Sequence, residues 1–218
     1  MRVLVADDHS LFRDGLVSLL EAADFTVVGQ AGDGQSAVEQ AMTLRPDLIL
    51  LDLHMPIMNG LEALRQIRVK LPETQIVMLT VSDDENNLLE AIKAGANGYL
   101  LKHLNSQAFL KALDGLQRGE AAITRAATTK VMKNLADLSA QKETPKLGVA
   151  LSDREIEILR LVADGHSNQV ISERVSLSEN TVKYHIKNIL QKLNVHTRME
   201  AAIFAMRNGL LKEDIPPK

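Results

Sequence analysis

Five side chains in this sequence could do chemistry together if the fold gathers them. Asp7 and Asp8 follow the apolar run Val3–Ala6, Asp52 follows Leu48–Leu51, Thr80 follows Ile76–Leu79, and Lys102 follows Gly98–Leu101. Each stands where a short strand would end, and open α/β sheets bind their ligands outside the carboxyl ends of the strands. In a sheet ordered 2-1-3-4-5, strands one, three, four and five are neighbours, so three carboxylates, a hydroxyl and an ammonium would share one crevice. Carboxylates packed so closely repel unless a hard cation sits among them, and a small oxygen-ligand site that keeps some waters suits Mg²⁺. Asp7, Asp8 and Asp52 are its natural ligands. Asp52, at the end of the central strand, could then attack a phosphoryl donor and become an aspartyl phosphate. Lys102 would share the negative charge of the transferring group, and Thr80 would hydrogen-bond it on arrival. Taken singly these residues say little: an Asp-Asp pair is commonly a solvated turn, Asp52 could cap a loop, and Thr80 and Lys102 are unremarkable types for their positions. Their joint placement carries the reading.

The elements that must position them can be read from the patterning. Residues 1–120 alternate short apolar runs with helical patterns, the signature of a doubly wound parallel sheet. The runs Val3–Ala6, Phe25–Gly29, Leu48–Leu51, Ile76–Leu79 and Gly98–Leu101 are apolar through most of their length, as strands covered on both faces must be. Helices are predicted near Leu11–Glu21, Ser36–Leu44, Leu61–Lys70, Glu85–Ala94 and Ser106–Arg118, the first marked by Phe12, Leu16, Leu19 and Leu20 on one stripe. After Gly119 the strand signals stop. Residues 121–149, rich in Ala, Thr, Lys and Gln, read as a partly helical linker, and residues 150–218 are helical in pattern throughout. That rear segment opens on the capping box Ser152-Asp153-Arg154-Glu155, with Gly165 as a left-handed cap closing the first helix.

Charge and composition bound the rest. Residues 1–120 hold 10 Lys and Arg against 17 Asp and Glu, whereas residues 151–218 hold 10 against 9, so a nucleic-acid partner is admissible only for the rear. The absence of Cys excludes a disulfide framework, a Cys-ligated zinc site and a thiol nucleophile, and agrees with a reducing compartment. The cytoplasm is the expected location. No apolar run reaches transmembrane length, and no membrane partner is expected. The six His show no ligand spacing, so His9, His54 and His103 read as polar loop residues, and Gly32-Asp33-Gly34 reads as a turn because neither phosphate-loop pattern occurs.

On these residues, and above all on Val3-Leu4-Val5-Ala6-Asp7-Asp8-His9 and Asp47-Leu48-Ile49-Leu50-Leu51-Asp52-Leu53-His54-Met55-Pro56 with Asn59-Gly60, the front domain resembles the receiver of bacterial response regulators. The resemblance implies a flavodoxin-like (CheY-like) five-stranded fold with Asp52 as phosphoacceptor and Lys102 as the phosphate-contacting lysine. It implies Mg²⁺ held by Asp7, Asp8, Asp52 and the backbone carbonyl of His54. Thr80 and Tyr99 resemble the switch pair, the hydroxyl moving to the phosphoryl group and the ring turning inward behind it. Two positions depart from the pattern. His103 stands where many receivers have Pro, so a cis peptide is not assumed, and Val81 is bulkier than the usual Ala or Gly and is expected to slow access to Asp52.

The rear domain resembles the four-helix DNA-binding domain of the LuxR/NarL (FixJ) group, through Leu151-Ser152-x-Arg154-Glu155 and Asn180-Thr181-Val182-Lys183-Tyr184-His185-Ile186-Lys187-Asn188-Ile189. Local physics agrees. Ser178 can N-cap a helix whose Val182, Ile186, Ile189, Leu190 and Leu193 form one apolar stripe, and whose opposite face carries Lys183, Tyr184, Lys187, Asn188 and Gln191. A helix over Asn168–Arg174 precedes it by a short turn, the helix-turn-helix arrangement. By resemblance, Lys183, Tyr184 and Lys187 face the groove and Thr181 contacts phosphate. The last helix, with Ala201, Ala202, Ala205 and Met206, is expected to present small residues for close packing, and in this group it forms the dimer contact.

The implied partners are a cognate sensor histidine kinase, double-stranded DNA bound as a homodimer, and RNA polymerase as a further one. Two other function classes compete. An enzyme turning over a small phosphorylated substrate needs a pocket and an acid that the short loops after the strands do not supply. A constitutive DNA-binding module with an inert receiver would not need all five receiver positions filled.

Overall fold

The computed structural model describes residues 1–82, 84–123 and 151–207, with side chains left undescribed at Glu85, Ile123 and Arg207. The chain divides into two compact units.

In the first unit the sheet is built from β1 (Arg2–Ala6), β2 (Thr26–Ala31), β3 (Leu48–Asp52), β4 (Gln75–Thr80) and β5 (Gly98–Leu101), joined by α1 (Ser10–Ala22), α2 (Gly34–Leu44), α3 (Gly60–Lys70), α4 (Glu85–Lys93) and α5 (Ser106–Gln117). All strands pair in parallel in the order β2-β1-β3-β4-β5, as the alternating pattern predicts. A sixth strand, β6 (Ala122–Ile123), adds to the free edge of β5, with Gly98 opposite Ala122 and Tyr99 opposite Ile123. In the sequence the strand signals stop after Gly119. Two residues are too few to show a period, and only a close backbone approach makes the pairing possible: a Cβ on Gly98 would lie 2.6 Å from that of Ala122.

Side chains along a strand alternate between faces, and this sorts the core. Val3, Val5, Leu48, Leu50, Val77, Leu79 and Leu100 form one cluster with Leu16 and Leu20 of α1 and Phe109, Leu113 and Leu116 of α5. Leu4, Ala6, Ile49, Leu51, Ile76 and Met78, also fully buried, occupy the alternate positions and so belong to the other face.

Helix starts are set by side chains. Asp33 caps α2, so Gly32-Asp33-Gly34 is a helix start rather than a free turn. Asn59 and Glu62 form a capping box on α3. Gly60 must approach the central strand closely, since a Cβ there would sit 2.0 Å from the carbonyl oxygen of Asp52. At the opposite end of the sheet the buried Arg68 guanidinium donates to the carbonyls of Pro72, Thr74 and Gly95 and to Asn97 Oδ1, at 2.7–2.8 Å, tying α3 to the segments that enter β4 and β5.

The second unit contains α6 (Asp153–Ala163), α7 (Asn168–Arg174), α8 (Glu179–Leu193) and α9 (Arg198–Arg207). Its core joins Ile158, Leu159 and Val162 of α6, Ile171 of α7, Val182, Ile189 and Leu193 of α8, and Ala201 and Ala205 of α9. The capping box Ser152–Glu155 forms as predicted, and Gly165 has φ +80°.

Arg68→Met should lower the midpoint of thermal unfolding sharply, because it leaves several buried oxygens without a donor, each worth about 1–3 kcal/mol. A midpoint within a degree of wild type would show that these bonds do not hold the sheet's amino end.

Candidate functional site

Asp7, Asp52 and Lys102 continue the strand columns Val3–Val5, Leu48–Leu50 and Leu100, so the pleat aims all three toward the face covered by α1 and α5. They meet there. Lys102 Nζ lies 2.7 Å from Asp7 Oδ2 and 3.0 Å from Asp52 Oδ2, with all three side chains at most 9% exposed. Asp8 stays at the rim, its side chain one-third exposed. The carboxylate oxygens of Asp7, Asp8 and Asp52 and a ring nitrogen of His9 all lie within 4.8 Å of one another. His9 is the member that the spacing of histidines did not reveal. Its Nδ1 sits 2.6 Å from Asp8 Oδ1, and its backbone N–H donates to Asp7 Oδ1 at 2.9 Å. The available signal was its adjacency to Asp8. The cluster's floor is pinned by Arg13, whose guanidinium donates to the Asp7 carbonyl at 2.6 Å and to Gln30 Oε1 at 3.3 Å, bridging the ends of β1 and β2.

Burial raises the pKa of Asp52, and the Asp7 charge adds to the rise, while Lys102 and the His54 backbone N–H pull the other way. Three carboxylates face one ammonium, which suits a site that takes a hard, oxygen-bound cation. His54 itself is exposed just past the strand. Ile57, three residues further, has φ 67° and is 85% exposed, an unusual backbone for a β-branched residue.

Thr80 and Tyr99 occupy the alternate positions of β4 and β5 and therefore share the other face of the sheet. The Thr80 hydroxyl is fully buried and donates to the Ser82 carbonyl at 3.2 Å, while Tyr99 is turned inward, 2% exposed. Val81 projects at the rim, 68% exposed. The peptide after Lys102 is trans.

In the second unit α7 and α8 form the helix-turn-helix. Ser176, with φ 52°, makes the left-handed step between them, and Arg154 of α6 fixes the turn by donating to the Val175 carbonyl. Ser178 caps α8 through the Thr181 N–H, and its hydroxyl lies 2.8 Å from Thr181 Oγ1. Lys183, Tyr184 and Lys187 are exposed on one face, opposite buried Val182, Ile189 and Leu193. Lys192 Nζ reaches Glu155 Oε2 at 2.7 Å, fastening α8 to the start of α6. Burial raises the Glu155 pKa, but the Lys192 contact and the Ser152 N–H and hydroxyl lower it further, for a net depression. In the last helix Ala201 and Ala205 are buried within their own domain, where their small side chains let α9 pack closely on α6, while Ala202 and Met206 are partly buried against the same core.

The raised Asp52 pKa sets a sign for stability. The folded chain holds this proton more tightly than the unfolded one, so stability falls as pH rises from the ordinary carboxylate value through the raised one and stays reduced above it. At neutral pH in a metal-free buffer, Asp52→Asn should stabilise the front domain by on the order of 1 kcal/mol. An unchanged or lower melting midpoint would contradict that cost, and added Mg²⁺ should shrink the difference by stabilising wild type.

Comparison with known proteins bears on both units. The family model of the response regulator receiver domain matches residues 3–114, and that of bacterial regulatory proteins, luxR family, matches residues 149–205. The nitrate/nitrite response regulator protein NarL of Escherichia coli (strain K12) is 42% identical over 204 residues, 93% of each chain. A structure of the RcsB response regulator of Salmonella typhimurium, solved in a study of DNA interaction, is 26% identical with a TM-score of 0.58, over 93% of this chain and 96% of that one. Another, of two RcsB dimers bound to two parallel DNAs, is 25% identical with a TM-score of 0.56, over 94% and 96%. The chain therefore belongs to the NarL family of two-component response regulators, DNA-binding transcription regulators that join a receiver to a LuxR-type helix-turn-helix and are not enzymes.

Proposed function

We propose that the chain is switched by phosphorylation of Asp52 from a partner histidine kinase and then binds operator DNA as a homodimer through α8. The observation that supports this best is the convergence of Asp7, Asp52 and Lys102 within 3.0 Å contacts at the carboxyl edge of the sheet. Residues 1–120, to whose sheet β6 adds, form the receiving part, the stretch from there to 149 the linker and 150–218 the DNA-reading part, with 124–150 and 208–218 lying outside the described residues. The cytoplasm is the compartment that suits a Cys-free regulator, and among the described residues no helix is long and apolar enough to cross a membrane.

In the transfer, an Asp52 carboxylate oxygen bonds to phosphorus as the bond from phosphorus to the donor's imidazole nitrogen breaks, and the released imidazole takes a proton from solvent. Lys102 balances charge on the phosphoryl oxygens. Asp7, Asp8, Asp52 and the His54 carbonyl are the ligands for Mg²⁺, which when bound neutralises charge on the entering group. Thr80 then exchanges its bond to Ser82 for one to the phosphoryl group, with Tyr99 held inward behind it. Thr181 is the phosphate contact on DNA, and Lys183, Tyr184 and Lys187 reach into the major groove. The dimer seen in the RcsB–DNA structure supports paired half-sites here, and RNA polymerase is the machinery on which a bound dimer acts.

Acetyl phosphate with Mg²⁺ should add one phosphoryl group to wild type and none to Asp52→Asn; label that persists in the variant moves the acceptor elsewhere. On DNA, Lys183→Ala should cost about 1–3 kcal/mol on the operator and little on random sequence if it reads a base edge. Parallel losses on both, with a salt slope smaller by about one, mark a phosphate contact instead. If Lys183→Ala and Lys187→Ala both bind as wild type while the fold persists, α8 does not lie in the groove.

A further inference from the structure

The apolar stripe of α1 does not stop at the core. Leu16 and Leu20 are buried against the sheet, and Phe12, one turn earlier, is only partly buried because that turn rises past the carboxyl edge of the strands. By pattern Phe12 is a core residue. Its ring, however, lies under a cation: Lys102 Nζ is 5.0 Å from the ring centroid, inside the range where a ring face attracts an ammonium. The same nitrogen contacts Asp7 and Asp52. Lysine is a flexible four-carbon stem with a strongly hydrated head, so what surrounds its ammonium decides where in the crevice it stands. Its side chain is nevertheless 9% exposed.

We propose that Phe12 is a positioning residue for phosphoryl transfer, its ring face holding the Lys102 ammonium in the crevice where the phosphoryl oxygens arrive. This rests on the reading of Asp52 as acceptor. When the phosphoryl group enters, Lys102 must leave part of its contact with the carboxylates and follow the new charge. A ring behind the ammonium lets it shift by pivoting on the π face, whereas an aliphatic side chain of similar size offers only shape. The attraction is strongest where water is excluded, and this ammonium is nearly dry.

The test uses the full-length chain with phenylalanine 12 replaced by its mono-, di- and trifluorinated forms, which keep the shape while weakening the ring's negative face, and by leucine. Two readouts are needed: the dissociation constant of beryllofluoride with Mg²⁺, and, in metal-free protein, the mobility of the Lys102 ε-methylene by NMR. Beryllofluoride affinity should fall stepwise with fluorine number, reaching about tenfold for Phe12→Leu, and Lys102 mobility should rise in the same order, while melting midpoints across the fluorinated series stay together. If the fluorinated chains match wild type in both readouts and only Phe12→Leu loses affinity, Phe12 is packing and the proposal is overturned. Equal beryllofluoride binding by wild type and Asp52→Asn would instead overturn the acceptor assignment, and the Lys102 mobility series would still decide the role of Phe12.

Discussion

Two buried carboxylates held against one ammonium set the terms for the receiver unit. Asp7 and Asp52 are both buried, and at Asp52 burial outweighs the contact with Lys102, so that keeping the charge there is costly. Three strands must therefore end in register for the charges to meet, and the loops that follow must be tied down. Arg13 anchors the loop after β1. The close seat of Gly60 against the Asp52 carbonyl anchors the one after β3. The bond from the Lys102 N–H to the Thr80 carbonyl, 2.7 Å, sets β5 against β4 at the crevice. Much of the remaining sheet is uniform aliphatic packing that could support any doubly wound fold; these few anchors turn it into a site.

The rear unit answers a different demand, that of holding one helix with an exposed cationic face rigidly in place. Its polar contacts serve that end. Lys192 to Glu155 and Arg154 to the Val175 carbonyl pin the end of α8 and the turn before it to α6. Arg198 reaches Asn168 Oδ1 and the His166 carbonyl, holding the start of α9 to α7. The exposed cations Lys183 and Lys187 thus stand on a helix fixed at its far end and at its cap, which spares the ordering cost on binding.

Legibility in the sequence followed the length of the pattern. The five main strands and all nine described helices announce themselves through apolar runs, periodicity and caps, and Asp7, Asp8, Asp52 and Lys102 could be gathered because each follows a run directly. What escaped was short or depended on tertiary contact. β6 is two residues long, and only its neighbour's missing side chain admits it. His9 enters the cluster through backbone geometry at the start of α1, which no spacing rule for histidines contains. The inward burial of Ala201 and Ala205 depends on how closely α9 approaches α6; a small side chain suits an internal contact and an external one equally, so composition could not choose.

The alternation along the strands has a consequence for how this receiver can change over evolution. Asp7, Asp52 and Lys102 point to the side of α1 and α5, whereas Thr80 and Tyr99 point through the sheet to the other side. Below the carboxyl edge, backbone and fully buried aliphatic side chains separate the helix layers on the two faces. Substitutions on helices flanking opposite faces share no partners, so their energetic effects should add independently. A lineage can then retune the helix packing on either face almost independently, while Thr80, at the carboxyl edge where the two faces meet, stays the one position through which a change around Tyr99 reaches Asp52.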